Sequence, residues 1–234
     1  MEEILRSGLA ALGLSPTDEA IGGLCRYGAM LLEKNAVTNL TAIRDEAGVA
    51  RLHFLDSAAL LTVADFSGRQ VLDVGSGAGF PGVPLRVLQP DISLTAIDSV
   101  KKKMDFVSDA CAALGLGDVT CLWGRVEELP ELRESFDIVV SRAVSRLDEL
   151  AELCMPQLRP GGLFIAMKGP DCDGEVADGA FAVKTMGGRV REICRYAIPG
   201  TDVTHAAVVV EKIKPTPPQY PRRYAQIRKK PLRG

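Results

Sequence analysis

The chain is short of aromatic residues, which make up 5% of its 234 positions, and it holds one tryptophan and only two histidines, His53 and His205. Two histidines without close Cys or carboxylate spacing do not make a zinc site, which takes three or four ligands from a compact set. No metal is expected. The six cysteines (Cys25, Cys111, Cys121, Cys154, Cys172, Cys194) form no CxxC pair, and five of them sit inside apolar or helical patterns. Buried thiols in a reducing cytoplasm are the expectation, rather than a redox motif or a disulfide framework. No apolar run approaches the roughly 18–20 residues that cross a bilayer. The start, Met1-Glu-Glu-Ile4, is acidic with no continuous apolar stretch behind it, unlike a secretory signal.

Hydrophobic residues at 47% and charged residues at 25% are ordinary for one large α/β domain with a modest extra segment. The formal net charge of −2 hides an asymmetry. Residues 212–234 carry eight Lys or Arg and no acid, which leaves 20 basic against 30 acidic groups in the rest. An acidic body with one cationic end is not an all-over nucleic-acid coat; it has a single phosphate-seeking arm.

Helical spacing of Ile4, Leu5, Leu9 and Leu12 predicts a helix over 3–12. Ser15-Pro-Thr-Asp18 predicts the start of a second, with Ser15 as N-cap, Pro16 in the first turn and Asp18 near the positive end of the dipole, running to about Lys34. Residues 35–41 read as a loop and 45–64 as a further helix, ended by the Asp65–Gly68 turn. Strands are predicted at 70–74, 92–98, 119–123, 136–141 and 162–168, alternating with helices near 81–88, 100–115 and 146–154. Such βα alternation predicts an α/β fold, a doubly wound and mostly parallel sheet. Runs 189–198 and 204–213 predict an antiparallel edge. The chain divides into an N-terminal helical segment (1–64), a core (65–213) and a tail (214–234). Five prolines between 215 and 231 argue against helix or central strand in the tail, which is expected to extend over the surface.

The most informative stretch is Val71-Leu-Asp-Val-Gly-Ser-Gly-Ala-Gly-Phe-Pro-Gly82. Strand-like residues run into Gly75, Gly77 and Gly79, and glycine lets the backbone turn sharply and press against a ligand. Gly77 to Gly82 matches GxGxxG literally, but in that dinucleotide fingerprint the strand ends directly before the first glycine. Here it ends before Gly75, and counting from Gly75 puts Phe80 where the third glycine belongs. The better register is Asp73-x-Gly75-Ser76-Gly77-x-Gly79. Asp73, at the carboxyl end of a central strand, is placed to accept from a cationic amino-acid moiety and would repel a pyrophosphate. Asp98 ends the next strand, where a carboxylate binds both ribose hydroxyls of either cofactor class. Lys101, Lys102 and Lys103 stand at a helix start that disfavours cations, either solvated or facing a phosphate. Backbone groups near Val126 and Glu127 are placed to address an adenine. Arg142 ends the fourth strand, where enzymes that methylate exocyclic amino groups carry Asp-Pro-Pro-Tyr or Asn-Pro-Pro-Tyr. Neither that motif nor the Pro-Cys pair of C5-pyrimidine methylases is present.

Taken together, Asn39-Leu-Thr41, His53-Phe-Leu-Asp-Ser57, Asp73–Pro84, Asp98-Ser99, Arg125-Val-Glu127, Ser141-Arg-Ala143, Lys168-Gly169 and the tail 220–232 resemble the bacterial small-subunit ribosomal RNA methyltransferase G family, also called glucose-inhibited division protein B. The likeness covers about residues 35–232. Val126 stands where many members have Ala, and Tyr224 replaces an Ala or Gly of the tail. The resemblance implies a class I, Rossmann-like enzyme that uses S-adenosylmethionine to methylate N7 of a guanine in 16S rRNA of the small ribosomal subunit. It carries cofactor contacts over to Gly75, Phe80, Val126, Glu127 and Arg142, with Asp98 added from the class I pattern.

Guanine N7 has an in-plane lone pair and no proton, so its methylation needs alignment and desolvation rather than a general base. Arg142 is expected to orient the base or the cofactor carboxylate, since a guanidinium donates two hydrogen bonds to either. His53, Asp56 and Ser57 share one helix face, read as a polar cluster at the substrate mouth or a plain helix surface rather than a catalytic triad. In the tail, Tyr220 and Tyr224 interleave with Arg222, Arg223, Arg228, Lys229 and Lys230, which favours RNA contact over a merely solubilising end. Deleting 215–234 is expected to weaken RNA binding and leave cofactor affinity unchanged. Competing readings keep the cofactor with a protein substrate, or keep the fold as a non-catalytic nucleotide-binding regulator; a dinucleotide oxidoreductase comes last, because of Asp73 and the glycine register.

Overall fold

Aliphatic and β-branched runs become the strands β1 (Gln70–Val74), β2 (Ser93–Asp98), β3 (Val119–Trp123), β4 (Phe136–Arg142), β5 (Leu158–Lys168), β6 (Gly188–Ala197) and β7 (Thr204–Lys212). In the computed structural model, which describes residues 1–233, they form one sheet in the order β3-β2-β1-β4-β5-β7-β6. The first five are parallel; β7 runs antiparallel to β5, and β6 antiparallel to β7. The doubly wound sheet with an antiparallel edge is therefore present as predicted. Four of β1's five residues are buried, as a central parallel strand covered on both faces requires. Strand order reverses at β1, which opens a crevice beyond the carboxyl ends of β1 and β4, the place where such sheets take ligands.

The helices are α1 (Glu2–Ala11), α2 (Asp18–Thr38), α3 (Glu46–Gly48), α4 (Asp56–Ala58), α5 (Gly82–Leu88), α6 (Lys101–Ala113), α7 (Leu147–Cys154), α8 (Asp173–Thr185) and α9 (Tyr224–Lys229). On one face of the sheet, α1, α2, α5 and α6 close over a core in which Tyr27 meets Phe54, Phe80 and Phe106 at ring centroid separations of 6.3, 6.0 and 5.6 Å. On the other, α7 and α8 bury Leu147, Leu150 and Val183 against Phe164 and Val208. Gly79 sits between the first core and the crevice. Its φ is +88°, and a Cβ there would collide with the Tyr27 hydroxyl, which donates to the Ala78 carbonyl at 2.8 Å. Only glycine meets both demands.

The structure adds α8, which the sequence pattern does not predict, and differs from expectation in several other places. The N-cap of α2 is Thr17, not Ser15, and its hydroxyl accepts from the Ala20 amide at 3.2 Å. The same helix runs on to Thr38, because buried Asn35 accepts from the Leu40 and Thr41 amides and donates to the Thr41 and Ile43 carbonyls, which ties the following loop to the helix. The predicted 45–64 helix is one run from α3 through α4 to Thr62, but Val49–Leu55 winds as π-helix and Ala59–Thr62 as 3-10. The tail is not an extended surface segment. It contains α9, whose Ile227 is fully buried in the second core. None of the tail's prolines falls inside α9, so the helix escapes their restriction.

Candidate active site

The β1–α5 turn is held from beneath. Asp73 is 0% exposed, and its Oδ2 accepts from the Ser76 hydroxyl and the Gly82 amide, both at 2.8 Å. Burial raises its carboxyl to about 6, against the opposing pull of these two hydrogen bonds. Asp73 and Ser76 thus stand behind the glycine turn rather than on the wall of the crevice, and Gly79 packs inward on Tyr27. Asp73 keeps one oxygen, Oδ1, buried and without a partner among the described residues.

Above the turn lies a cavity of about 300 Å³ lined by Gly75, Asp98, Ser99, Lys103, Gly124, Arg125, Val126, Glu127, Val144 and Tyr224, among others. This lies at the low end of the roughly 300–1,000 Å³ of small-molecule sites. Asp98 fixes both flanking turns, accepting from the Gly77 amide at 2.9 Å and the Val100 amide at 2.8 Å. Each carboxylate oxygen retains a lone pair for a hydroxyl. Glu127 turns its Oε1 inward with no hydrogen-bond partner among the described residues, and burial raises its carboxyl. Of the three lysines after β2, Lys101 pairs with Asp105 at 2.7 Å, Lys102 donates to the Thr38 carbonyl at 2.8 Å, and Lys103 lines the cavity.

Arg142 lies beside this cavity and belongs to a second cluster. Its Nη1 donates to the Leu52 carbonyl and to Asp56 Oδ2, both at 3.0 Å, and its Nη2 to His53 Nδ1 at 2.9 Å. The Leu52 carbonyl belongs to the π-helical segment. The guanidinium lies 5.2 Å from the Phe80 ring centroid, and His53 stacks on the same ring at 4.3 Å. Two N–H groups of Arg142, on Nε and Nη2, have no acceptor among the described residues, enough for one bidentate ligand contact.

Asp56 is the hub of that cluster. It is 1% exposed, and its Oδ1 accepts from the Tyr196 hydroxyl at 2.9 Å and from His205 Nδ1 at 2.8 Å. Burial works to raise the Asp56 carboxyl, but the His205 hydrogen bond and the Arg142 charge more than offset it and hold it below the ordinary value. The expectation that Asp56 meets RNA is therefore corrected: its oxygens are spent on Arg142, Tyr196 and His205. His53 is also engaged, with Nε2 at 2.8 Å from Thr41 Oγ1. With Nδ1 accepting from Arg142, Nε2 carries the proton and His53 is neutral. Burial first, then the Arg142 charge, lowers its pKa to about 3.

A pH dependence follows from His53. Between about pH 6.5 and pH 3 the unfolded chain takes up a proton that folded His53 refuses, so stability falls as pH falls through this window. Asp73 has the opposite sign, being protonated more readily when folded between about 3.8 and 6. His53→Gln isolates the first effect. The drop in urea midpoint between pH 7 and pH 5 is expected to be smaller in this variant than in the parent.

The tail is built into the protein. Arg222 donates through its backbone N and Nε to Glu152 Oε1, both at 2.8 Å, and through Nη2 to Oε2 at 2.6 Å, and Glu152 is 0% exposed. Arg222 is thus a half-buried anchor rather than an RNA contact. Arg233 reaches buried Asp148 at 2.8 Å, and the two acids stand at i and i+4 on α7. Arg223, Arg228, Lys229 and Lys230 remain exposed. Tyr224 forms part of the cavity wall beneath the Arg125 guanidinium, 4.6 Å from its ring centroid. The links to Glu152, Tyr196 and His205 span 70 to 149 residues and leave no local pattern. The chain's only two histidines thus meet the same Asp56–Arg142 pair.

Comparison with known proteins bears on this site. The model of the GidB family, rRNA small subunit methyltransferase G, matches residues 21–198. Ribosomal RNA small subunit methyltransferase G of Alkaliphilus oremlandii is 41% identical over 238 residues, covering 100% of this chain and 99% of that protein. The Clostridium tetani protein of the same name is 37% identical and covers 99% and 98%. Among solved structures, a SAM-dependent methyltransferase from Aquifex aeolicus superposes with a TM-score of 0.55 at 18% identity, over 74% of this chain and 97% of that one. Precorrin-6y C5,15-methyltransferase from Geobacter metallireducens gives 0.54 at 16%, over 75% and 92%. These two likenesses concern the fold: a Rossmann-like methyltransferase sheet. With a family model spanning most of its length and full-length relatives above 30% identity, the chain belongs to the GidB family of rRNA small subunit methyltransferase G proteins.

Proposed function

We propose that the cavity beyond β1 and β2 binds S-adenosylmethionine and that the protein methylates N7 of a guanine in 16S rRNA. The residues present fit the cofactor. Asp98 has lone pairs for ribose hydroxyls and Glu127 Oε1 is a buried acceptor for an adenine amino group, while Asp73 holds the glycine turn from beneath. A Cβ on Gly75 would enter the space held by Val144, so the turn can lie this close to the cavity wall only as glycine. When bound, the cofactor supplies an electrophilic methyl group.

The observation that carries the choice of N7 is the state of the groups beside the cavity. His53 is neutral with both ring nitrogens engaged, and Asp56 is shielded by three donors, so neither is free to remove a proton. A nucleophile that arrives with a free lone pair needs no such group. The chain's part is then to orient and exclude water: Phe80 and His53 hold Arg142 by stacking and hydrogen bonding, and Arg142 offers its two free N–H groups to guanine O6 or the cofactor carboxylate. Exposed Arg223, Arg228, Lys229 and Lys230 supply contacts to RNA phosphates.

Incubation with methyl-labelled S-adenosylmethionine and either 30S subunits or naked 16S rRNA tests this reading; label is expected in RNA. Label in protein, or none with either substrate, would favour a protein methyltransferase or a non-catalytic regulator. Arg142→Ala is expected to slow single-turnover transfer by about a hundredfold. Full rate and full cofactor affinity in that variant would remove Arg142 from the mechanism.

A further inference from the structure

Trp123 is the chain's one tryptophan, and it is 62% exposed. An indole is usually largely buried, with its N–H paired. Here only the second condition holds. Trp123 ends β3 opposite Asp98, and its Nε1 donates to the Ser99 carbonyl at 3.1 Å, so the ring is pinned at one edge while much of it faces solvent. Ser99 and Gly124, its hydrogen-bond partner and its chain neighbour, both line the proposed cofactor cavity. The ring therefore stands on the rim of that site.

One cation lies against it, and others stand along the cavity rim. The Lys101 ammonium lies 5.9 Å from the Trp123 ring centroid. Further round the rim, Arg125 lies over Tyr224 at 4.6 Å and Arg228 approaches the same ring at 6.0 Å. Lys101 is shared with Asp105, but Lys103 and Arg125 reach the cavity edge with no close ion pair among the described residues, the Arg125–Glu127 separation being 4.0 Å. A protein partner would call for a contiguous apolar patch around an exposed indole. Val100 and Val144, which line the same cavity, are each only 37% exposed. A flat apolar face among positive charges matches a planar base carrying a phosphate.

We propose that Trp123 is a stacking platform for an unpaired base of the substrate RNA next to the nucleotide that enters the site, with Lys103, Arg125 and Arg228 on the flanking phosphates. The inference rests on the RNA methyltransferase reading above and adds to it a residue that selects single-stranded or splayed RNA. Base stacking on an aromatic side chain is sequence-tolerant, so Trp123 contributes affinity and register rather than base identity.

Because Trp123 is the only tryptophan, its emission reports on this one position. Titration with naked 16S rRNA is expected to quench it to saturation, and S-adenosylmethionine alone is expected to leave it nearly unchanged. Trp123→Ala is expected to bind naked 16S rRNA about tenfold more weakly, with cofactor affinity and urea midpoint unchanged, and Trp123→Phe to recover part of the loss. Parental RNA affinity in Trp123→Ala overturns the proposal, as does quenching by the cofactor with no further change on adding RNA. If the parent still labels RNA in either case, the methyltransferase reading stands and only the platform fails. Failure of the parent to label any RNA overturns both.

Discussion

Asp56→Ala is expected to lose about 3–5 kcal/mol of stability, and the fraction that still folds to lose about a hundredfold in methyl-transfer rate. Alanine removes the acceptor for Arg142 Nη1, the Tyr196 hydroxyl and His205 Nδ1 together. A largely buried guanidinium then has no opposing charge, the costly way to break a buried ion pair. The rate falls for a different reason. Arg142 extends from the end of β4 and is kept from swinging by Asp56, the Leu52 carbonyl and His53; without Asp56 its free N–H groups no longer point one way. Asp56→Asn keeps the shape and separates the two effects, with a smaller stability loss and a rate still well below the parent. Urea denaturation and single-turnover transfer measure them independently.

The pH dependence of this hub has two limbs. Asp56 is held below its ordinary pKa, so its contribution is present above about pH 3.8 and is lost as pH falls through its folded value. His205 is raised by its hydrogen bond to Asp56, so its contribution is complete below about pH 6.5 and is lost as pH rises through its folded value.

Deletion of 215–234 is the second large effect. It is expected to cost about 3–5 kcal/mol because it strips Arg222 from Glu152 and leaves a fully buried carboxylate alone, with a further about 1.5–3 kcal/mol for the lost burial of Ile227. Against a total of about 5–15 kcal/mol for a typical domain, most of the protein should unfold near 37 °C. Cofactor affinity should fall too, since Tyr224 and the Arg125 stacked on it form part of the cavity wall. This reverses what the basic, proline-rich composition suggests. The RNA role of the tail is tested instead by replacing Arg223, Arg228, Lys229 and Lys230 with Ala. Stability and cofactor affinity should hold, while RNA affinity falls and its salt slope flattens by about 0.7 for each phosphate no longer neutralised. A deletion variant with parental melting and parental cofactor affinity would contradict the anchored tail.

The sheet was legible because its strands are bounded aliphatic runs, and the glycine turn because Asp73 fixes its register one glycine earlier than the literal GxGxxG. Both are local signals. The antiparallel edge was legible for the same reason, with β6 and β7 carrying β-branched runs a short turn apart. Helix α8 was not, since its buried face is only Gly179, Ala182 and Val183, too small to register as an apolar stripe. Gly179 is nonetheless required, because a Cβ there would press on Leu147 at 3.0 Å. The tail helix was hidden by its prolines and by partners on α7 far back in the sequence. Only the fold reveals Asp148 and Glu152 as the sockets for Arg233 and Arg222. The Asp56 hub was half visible: its helix neighbour His53 could be read from spacing, its strand partners Tyr196 and His205 could not.

The most direct test is the identity of the methylated atom. After reaction with 16S rRNA or 30S subunits, total digestion and mass spectrometry of the nucleosides should yield 7-methylguanosine as the single new product, in a site where His53 and Asp56 are committed to holding Arg142. A guanosine methylated on its exocyclic amine, or a methylated pyrimidine, would contradict transfer to guanine N7.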